Sequence, residues 1–248
     1  MKQGEYDVMA ASEDRLWWYR ALHRLVVSSL ERFLTARTSP CVVDVGCGTG
    51  GTYAQIRGRF PGVRYIGIDV EPLALDHCRK RGLRAVIQGS ASAVPVRAAC
   101  ADAVVCLDVL YYASIDPAAA VAQLGAALKP GGLLVLNLPA FDSLRGRHDQ
   151  AVGIAKRFRI DEMRRLLEQA RLEPVLLTYW NAALFLPLMA WRWFSRGAGQ
   201  AEAVSDTGRS PRWLNAVLVP PILLEVYLTR WVRYPFGSSV FAVGRRAG

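Results

Sequence analysis

The residues in this chain best suited to chemistry lie in positions 41–51, CVVDVGCGTGG, where a short apolar stretch runs into a glycine-rich turn. The apolar stretch is typical of a central parallel strand buried on both faces. Gly46, Gly48 and Gly50 allow a tight turn, and without side chains they let a ligand approach the backbone. A helix is predicted over residues 52–59, and its N-terminal amides would point at such a ligand. The stretch therefore predicts a ligand-facing turn.

Two acids flank the turn. Asp44 precedes it, and Asp69 ends a second apolar stretch, residues 63–69, 19 positions after Gly50. At that spacing a strand–helix–strand unit delivers a carboxylate to the hydroxyl groups of a ribose. Asp44 is unfavourable beside a pyrophosphate but suits a cofactor that carries an ammonium or sulfonium group.

The GxGxG turn with an aspartate at the strand end resembles motif I of the class I S-adenosylmethionine-dependent methyltransferases. The resemblance implies that the turn admits the cofactor, that Asp69 grips its ribose, and that Asp44 and nearby backbone favour its ammonium end. The cofactor-binding residues implied around the turn and the second strand are Asp44, Gly46, Cys47, Gly48, Gly50, Asp69 and Val70.

Three further landmarks follow in the family's order. Residues 88–95, QGSASAVP, match the segment that borders the adenine. Ser90 stands where the family usually has an aspartate, so adenine recognition there would depend on its hydroxyl or on the Ala91 amide. Leu107, at the end of the fourth strand, matches a residue whose backbone commonly faces the methionine portion. Residues 128–133, LKPGGL, match the turn before the fifth strand.

Similarity to a subset of small-molecule methyltransferases extends to the N-terminus. A helix is predicted from Ser12, its cap, to about residue 35, and in that subset a WW-F/Y-xx-R stretch forms a helix over the cofactor. The resemblance implies a lid formed by residues 1–38. Tyr6, Tyr19 and Arg20 would cover the cofactor in this lid, and Trp18 would contact the substrate. Simple packing of the helix against the domain is the alternative.

Candidate acceptor-side residues follow the fourth and fifth strands. Tyr111 and Tyr112 replace the Glu-His pair of many relatives, and they are expected to line the cofactor or shape the acceptor pocket. His148 and Asp149 are an adjacent base and acid, and they resemble an HD pair in the same subset. His148 could remove a proton from an acceptor that it also binds, with Asp149 orienting it. A polar loop contact is the alternative role.

Alternating strand and helix patterns predict an α/β fold with a Rossmann-like, seven-stranded, mostly parallel sheet and helices on both faces. In the resembled family the last strand, here residues 239–244, is antiparallel. The core is expected to comprise residues 39–182, with residues 237–248 supplying the final strand. One domain with an elaboration fits the length of 248 residues.

A hydrophobic helical insert, residues 183–236, interrupts this core. Its apolar runs, residues 184–194 and 213–232, are too short or too interrupted to span a bilayer, since Pro220 and Pro221 break the second run. The insert is expected to cap a hydrophobic acceptor, to lie in a membrane interface or to form a homodimer contact. The sequence leaves these three roles open.

Composition sets limits on partners and compartment. The net charge of +10 comes from arginine, 27 residues against 4 lysines, but no basic block appears, which argues against a nucleic-acid partner. Solvated helix faces, an anionic substrate or a membrane surface remain as explanations. Five cysteines without CxxC spacing support neither a disulfide framework nor a zinc site, so no metal is predicted. The absence of an apolar leader favours the cytoplasm, with membrane association left open by the insert.

These observations predict an enzyme that transfers the methyl group of S-adenosylmethionine to a hydrophobic small molecule, such as a natural product or a lipid-like acceptor. S-adenosylhomocysteine would be the product of the cofactor. Two alternatives stay open: a protein of the same fold that binds the cofactor without methyl transfer, and an RNA methyltransferase.

Overall fold

The computed structural model describes residues 3–34, 39–183, 185 and 212–248. The strands are β1 (Cys41–Val45), β2 (Arg64–Asp69), β3 (Val86–Gln88), β4 (Ala101–Leu107), β5 (Leu128–Pro139), β6 (Leu172–Trp180) and β7 (Ser239–Arg246). The helices of the described residues are α1 (Gln3–Ser12), α2 (Trp17–Phe33), α3 (Gly51–Arg59), α4 (Pro72–Lys80), α5 (Pro117–Ala127), α6 (Arg147–Val152), α7 (Ile160–Gln169) and α8 (Arg212–Leu228), with a 3-10 turn at Asp142–Leu144.

All seven strands form one sheet in the order β3-β2-β1-β4-β5-β7-β6. Neighbouring strands from β3 to β5 are parallel, whereas β7 is antiparallel to both β5 and β6. The predicted fold class and the antiparallel last strand are therefore confirmed. The strand order reverses between β1 and β4, and open α/β sheets bind ligands in the crevice at the carboxyl ends of such strands.

Side chains of the central strands alternate between two buried cores. Ala103 and Val105 of β4 lie in the core shared with α2, α3, α4 and α8, whereas Val104 and Cys106 lie in the core shared with α5 and α7. The period of two follows from strand geometry, because successive side chains point to opposite faces. Both faces of the sheet are therefore covered by helices.

The N-terminal region contains two helices where the sequence predicted one. Ser12 ends α1 and its hydroxyl donates to the Val8 carbonyl, so it does not cap a helix that starts there. The chain then turns and begins α2 at Trp17. The physical reason is Glu13, which is 1% exposed and whose contacts with the glycine turn hold the linker out of helical geometry.

Two other boundaries differ from the predictions. Residues 128–133, predicted as a turn, begin β5: Leu128 pairs with Ala101, and Gly131 supplies a positive φ of 73° next to a register shift. The predicted break at Pro220 and Pro221 is also wrong, because α8 runs through both prolines. The two carbonyl groups that lose their amide partners belong to residues 216 and 217, which are exposed and can bond to water.

Helix α8 packs along α2 and belongs to the same core. Its buried Ile222 and Val226 join the cluster that contains Leu22 and Leu25 of α2. The two helices are also tied at both ends: Trp17 N donates to Asn215 Oδ1, at 3.1 Å, and Arg32 donates to the Arg230 carbonyl. None of the helices in the described ranges is long and apolar enough to cross a bilayer.

Candidate cofactor and acceptor site

The glycine turn folds back onto β2. The amides of Gly46 and Cys47 both donate to the Ile68 carbonyl, at 2.7 and 3.0 Å, and Gly46, Gly48 and Gly50 have φ values of 79°, 51° and 86°. A Cβ at Gly46 would lie 2.1 Å from Val109 Cγ2. Glycine is therefore required there both by backbone conformation and by the close approach of the segment after β4.

Asp69 meets the turn at the end of β2. Its Oδ2 accepts from the Gly48 amide at 2.9 Å, and its Oδ1 accepts from the Glu71 amide at 3.1 Å. The side chain is buried, which raises the pKa of its carboxyl group. Each carboxylate oxygen can accept a second hydrogen bond. The residue can therefore bind both hydroxyl groups of a ribose while it holds the turn.

Asp44 lies beneath the turn, where the Tyr65 hydroxyl donates to its Oδ2 at 2.6 Å. Burial, with smaller contributions from the carboxylates of Asp69 and Glu13, raises the pKa of this carboxyl group to about 7, while the hydrogen bond from Tyr65 opposes the rise. A cation above the turn would stabilise the ionised form. This environment suits the ammonium group that the sequence predicted for it.

The predicted adenine segment lies beside the end of β3. Ser90 Oγ accepts from the Ser92 amide at 3.1 Å, and Ala91 is buried. Val70, which follows Asp69, is 54% exposed and offers an apolar surface. Leu107 ends β4 and is half-buried. The structure thus brings these residues to the same edge of the sheet as Asp69.

Glu13 fastens the N-terminal segment to the turn. Its Oε1 accepts from the Thr49 hydroxyl at 2.6 Å and forms an ion pair with Arg81 NH2, also at 2.6 Å. Met9 of α1 lies over Gly48, because a Cβ there would be 2.9 Å from Met9 Cε. The sequence had assigned Glu13 only to the first turn of a helix, so this contact was missed.

The aromatic residues predicted for the lid converge on the same region. Tyr6 is buried, and its pKa is raised by burial and by the charges of Asp69 and Tyr112. Burial likewise raises the pKa of Tyr19, with Glu13 and Asp108 adding to the effect. Tyr6 therefore lies near the ribose carboxylate.

Trp18 and Arg20 point to different places. The Trp18 ring centroid lies 5.0 Å from that of Tyr19 and 5.9 Å from that of Trp180, which ends β6. Arg20 is exposed and lines a groove between α2, α3 and α8, together with Arg24, so it does not join the other predicted cofactor residues. The contact of Arg20 with the cofactor stays a prediction, and the position of Arg20 in this groove does not favour it.

A buried polar chain that the sequence did not predict runs across the ends of β4, β5 and β6. Trp180 Nε1 donates to Asn137 Oδ1 at 2.7 Å, and Asn137 Nδ2 donates to Asp108 Oδ2 at 2.9 Å. Asp108 follows β4 directly and has a φ of 56°, a strained value for a residue other than glycine. The sequence signal that could have predicted Asp108 is an acid at the end of a buried strand, which is also the signal that identified Asp69.

Tyr111 and Tyr112 follow this acid and lie against each other. Their ring centroids are 4.6 Å apart and their hydroxyl oxygens 3.5 Å apart. Burial raises the pKa of Tyr111, with the charges of Tyr112, Asp108 and Tyr19 adding to the effect. With a raised pKa this phenol stays protonated, so it can form hydrogen bonds or line a pocket but does not act as a base.

Asp149 has a different environment from the one predicted. Both of its oxygens bind the guanidinium group of Arg157, each at 2.7 Å, and the two side chains are buried. Arg157 also donates to the Ala140 carbonyl at 2.8 Å. This ion pair fixes α6 against the end of β5. A structural role is therefore sufficient to explain Asp149. The side chain of His148 lies outside the described part of the structure.

No group of three or more side chains that could hold a metal ion occurs among the residues that the structure describes. The site instead consists of glycine backbone, three carboxylates and aromatic rings. These groups match a cofactor with ribose hydroxyls and a positive charge. The residues present therefore fit S-adenosylmethionine.

Comparison with known proteins agrees with this site. Residues 43–136 match the family described as Methyltransferase domain, which includes the glycine turn, Asp69 and Asp108. The fold and this match agree with the resemblance to the class I S-adenosylmethionine-dependent methyltransferases that the motifs predicted.

Two curated relatives match only part of this chain. The chain is 34% identical over 104 residues to trans-aconitate 2-methyltransferase of Methylobacterium radiotolerans, which covers 39% of this chain and 37% of that protein. It is 29% identical over 174 residues to malonyl-[acyl-carrier protein] O-methyltransferase of Herminiimonas arsenicoxydans, which covers 70% of this chain and 64% of that protein. The chain therefore spans less than two thirds of either relative.

Solved structures share the fold over most of the chain. A methyltransferase in complex with the Haloferax volcanii Trm112 methyltransferase activator has a TM-score of 0.64 at 20% identity and covers 98% of both chains. Geranyl diphosphate C-methyltransferase from Streptomyces coelicolor, in complex with Mg²⁺, geranyl diphosphate and S-adenosylhomocysteine, has a TM-score of 0.59 at 18% identity. It covers 91% of this chain and 81% of its own.

Proposed function

We propose that this protein transfers the methyl group of S-adenosylmethionine to a hydrophobic small molecule. The observation that carries the proposal is the contact between Asp69 and the Gly48 amide, since it brings the ribose carboxylate and the cofactor turn to one ligand. The match of residues 43–136 to methyltransferase domains supports the reaction type. Cofactor binding by this chain is part of the proposal.

In this proposal Asp69 holds the ribose, and Asp44 favours the ammonium group. The glycine turn contacts the cofactor through the protein backbone. When bound, the cofactor supplies a methyl group on a positively charged sulfur, which is an activated leaving group. The chain's own work is then to align the acceptor with that group and to exclude water. The contacts of Glu13 and Met9 hold the proposed lid, residues 1–38, over the turn.

The aromatic side chains near the turn support a hydrophobic acceptor. The rings beyond the glycine turn are those of Trp18, Tyr19, Tyr111 and Tyr112. Helix α8, which belongs to the proposed cap, packs on α2. The two curated relatives are named for anionic acceptors, trans-aconitate and malonyl-[acyl-carrier protein]. Anionic acceptors need a cation in the pocket, whereas the acid groups described above would repel them.

Incubation with methyl-labelled S-adenosylmethionine and a panel of hydrophobic alcohols, phenols, amines and acids tests this function. We expect label in one acceptor class and the formation of S-adenosylhomocysteine. Cofactor binding by calorimetry without label transfer to any acceptor would instead support a binding protein of the same fold. Label transfer to RNA that weakens steeply with salt would support a nucleic-acid methyltransferase.

His148 provides a second test of this reaction. If it removes the acceptor proton, His148→Ala should lower turnover about 10²-fold or more while cofactor affinity stays unchanged. Lys156→Ala, which changes an exposed side chain in the following segment, serves as the control. Turnover close to that of the parent protein would remove His148 from the mechanism.

We also propose that α8 brings this enzyme to an anionic membrane surface from the cytoplasm. Val217, Leu224 and Tyr227 recur at helical spacing, and they and Trp231 just beyond the helix are all more than half exposed. The groove beside this stripe is lined by Arg20, Arg24, Arg59 and Arg230. Apolar and aromatic side chains beside arginines suit the boundary between lipid headgroups and acyl chains.

Vesicle sedimentation tests this contact. We expect binding to vesicles of phosphatidylcholine mixed with phosphatidylglycerol, weak binding to phosphatidylcholine alone, and loss of binding in Leu224→Ser with Trp231→Ser. Val8→Ser, another exposed apolar residue, is the matched control. Equal binding to both vesicles, or none, contradicts the proposal, and self-association without vesicle binding would support a homodimer contact instead.

A further inference from the structure

Asp108 has an unusual backbone conformation at the edge of the glycine turn. It lies at the carboxyl end of β4, beside the glycine turn, since Val109 contacts Gly46. Its φ of 56° is in the left-handed region, which costs roughly 1 kcal/mol or more for a residue with a side chain. The structure therefore sustains an unfavourable conformation at the point where this carboxyl group enters the site.

The carboxyl group is held from one side only. Asn137 Nδ2 donates to Oδ2 at 2.9 Å, and Trp180 Nε1 fixes the orientation of the amide by donating to Asn137 Oδ1 at 2.7 Å. Asn137 and Trp180 are fully buried, whereas Asp108 is half-buried. No donor in the described ranges bonds to Oδ1 of Asp108. One oxygen is thus positioned by a rigid pair while the other can meet a ligand.

The surroundings of Asp108 raise the pKa of its carboxyl group into the range where it can exchange a proton near neutral pH. Burial raises the pKa of its carboxyl group to about 7, while the hydrogen bond from Asn137 opposes the rise. No described cation acts on it. The titratable groups that sense its charge are Tyr19 on α2, Tyr111 after β4 and Cys106 within β4, and burial keeps all three protonated and uncharged.

We propose that Asp108, rather than His148, accepts the proton that the acceptor loses on methylation, and that the acceptor is a hydroxyl compound or an amine. This inference rests on the proposed methyl transfer. An acceptor carboxylate or diphosphate in this place would face the carboxyl group of Asp108, and like charges repel. A neutral hydroxyl group or a neutral amine instead donates to the open oxygen.

The step balances without a further reagent. A lone pair on the acceptor oxygen or nitrogen forms the new bond to the methyl carbon, and the carbon–sulfur bond breaks with its electron pair moving to sulfur. The proton leaves the acceptor for Oδ1 of Asp108 and returns to solvent after product release. Asn137 and Trp180 are positioning residues in this step, because they act through the carboxyl group.

Asp108→Asn tests the assignment with little disturbance to the fold. Asparagine tolerates the left-handed backbone and keeps the volume, but its amide cannot accept the proton. We expect label transfer to the preferred acceptor to fall about 10²-fold or more, with S-adenosylhomocysteine affinity close to that of the parent protein and no loss in the thermal midpoint. Asp161→Asn, an exposed acid at the start of α7, is the control with the same change of charge.

The pH dependence of kcat/KM distinguishes a role of Asp108 in proton transfer from a purely structural role. In the parent protein kcat/KM should rise with pH to a plateau, with its midpoint near the pKa of about 7, and Asp108→Asn should lose this rise. Asn137→Ala removes the donor to Oδ2, so it should move the midpoint to higher pH. Asp108→Glu should recover part of the rate with a pH-dependent profile.

The outcomes are distinguishable. If the parent protein binds the cofactor but labels no acceptor, the proposed function fails and this inference fails with it. If it labels carboxylic acids in preference to alcohols and amines, or if Asp108→Asn keeps its rate and pH profile, methyl transfer stands and the role of Asp108 is overturned.

Discussion

The two halves of the site are built in different ways. The cofactor half is made mostly of backbone and of residues close in sequence, with Asp69 bonded to the Gly48 amide 21 positions away. The acceptor half is made of side chains from distant elements, and the bond between Trp180 and Asn137 spans 43 positions. In the proposed methyltransferase, local backbone contacts therefore form the cofactor half, whereas long-range packing forms the acceptor half.

The halves should therefore respond differently to substitution. Changes in the cofactor half should alter binding of S-adenosylmethionine whatever the acceptor. Changes in the acceptor half should leave that binding intact and alter turnover or pH dependence. The following variants separate the two halves, in order of decreasing expected effect.

The largest effect is expected for Gly46→Ala. A Cβ would lie 2.1 Å from Val109 Cγ2 and would require a φ of 79°, so the turn must shift. We expect S-adenosylmethionine affinity, measured by calorimetry, to fall at least about 10²-fold. Gly58→Ala in α3 is the matched control, because a Cβ there meets no atom within 4 Å. The control should raise the free energy of unfolding by up to about 1 kcal/mol, and equal affinities for both variants would contradict the role of the turn.

Asp69→Ala should weaken cofactor binding by about 1.5 to 3 kcal/mol, the scale of hydrogen bonds to a charged group. Because Asp69 also holds the Gly48 amide, Asp69→Asn keeps one acceptor for that amide and isolates the ribose contact. Asp76→Asn, an exposed acid of α4, controls for charge. Calorimetry that gives the same affinity for Asp69→Ala and the control would mean that this acid does not bind the ribose.

Asp108→Asn should change stability in a pH-dependent way in the cofactor-free protein. The folded-state pKa of about 7 lies above the ordinary value of 3.8, so the folded protein binds the extra proton and loses stability as pH rises between these values. The variant lacks this loss. Its free energy of unfolding relative to the parent protein should rise by about 1 to 2 kcal/mol from pH 5.5 to pH 7, measured by urea unfolding. A constant difference would show that the carboxyl group is not perturbed.

Glu13→Gln should have the smallest effect. The amide can still accept from the Thr49 hydroxyl, but the ion pair with Arg81 is lost. We expect a loss of about 1 kcal/mol in the free energy of unfolding and faster proteolysis within residues 1–16. Asp14→Asn, which removes only an exposed partner of the same arginine, is the control. Equal stability of the two variants would show that Glu13 does not attach the lid to the turn.

Sequence alone predicted the features that depend on local backbone chemistry. The glycine turn and Asp69 were found because tight turns and strand-end acids leave a signal within about 30 residues. The mostly parallel sheet followed from repeated strand–helix units, and the antiparallel last strand followed from the family resemblance.

Features that depend on distant partners were not predicted. Ser12 resembled a helix start, and only the burial of Glu13 against Thr49 places a linker there instead. Asp149 resembled half of a catalytic pair, but the guanidinium group of Arg157 occupies both of its oxygens. The prolines of α8 resembled a break because the sequence does not reveal that the affected carbonyl groups face solvent.

A crystal structure with S-adenosylhomocysteine tests the central claim most directly. The account predicts that both ribose hydroxyls bond to Asp69, that the nucleoside lies over Gly46 and Gly48, and that the sulfur faces the side of the site that contains Asp108. A nucleoside bound elsewhere, or a sulfur directed away from Asp108 with Tyr111 and Tyr112 remote from it, would contradict the account.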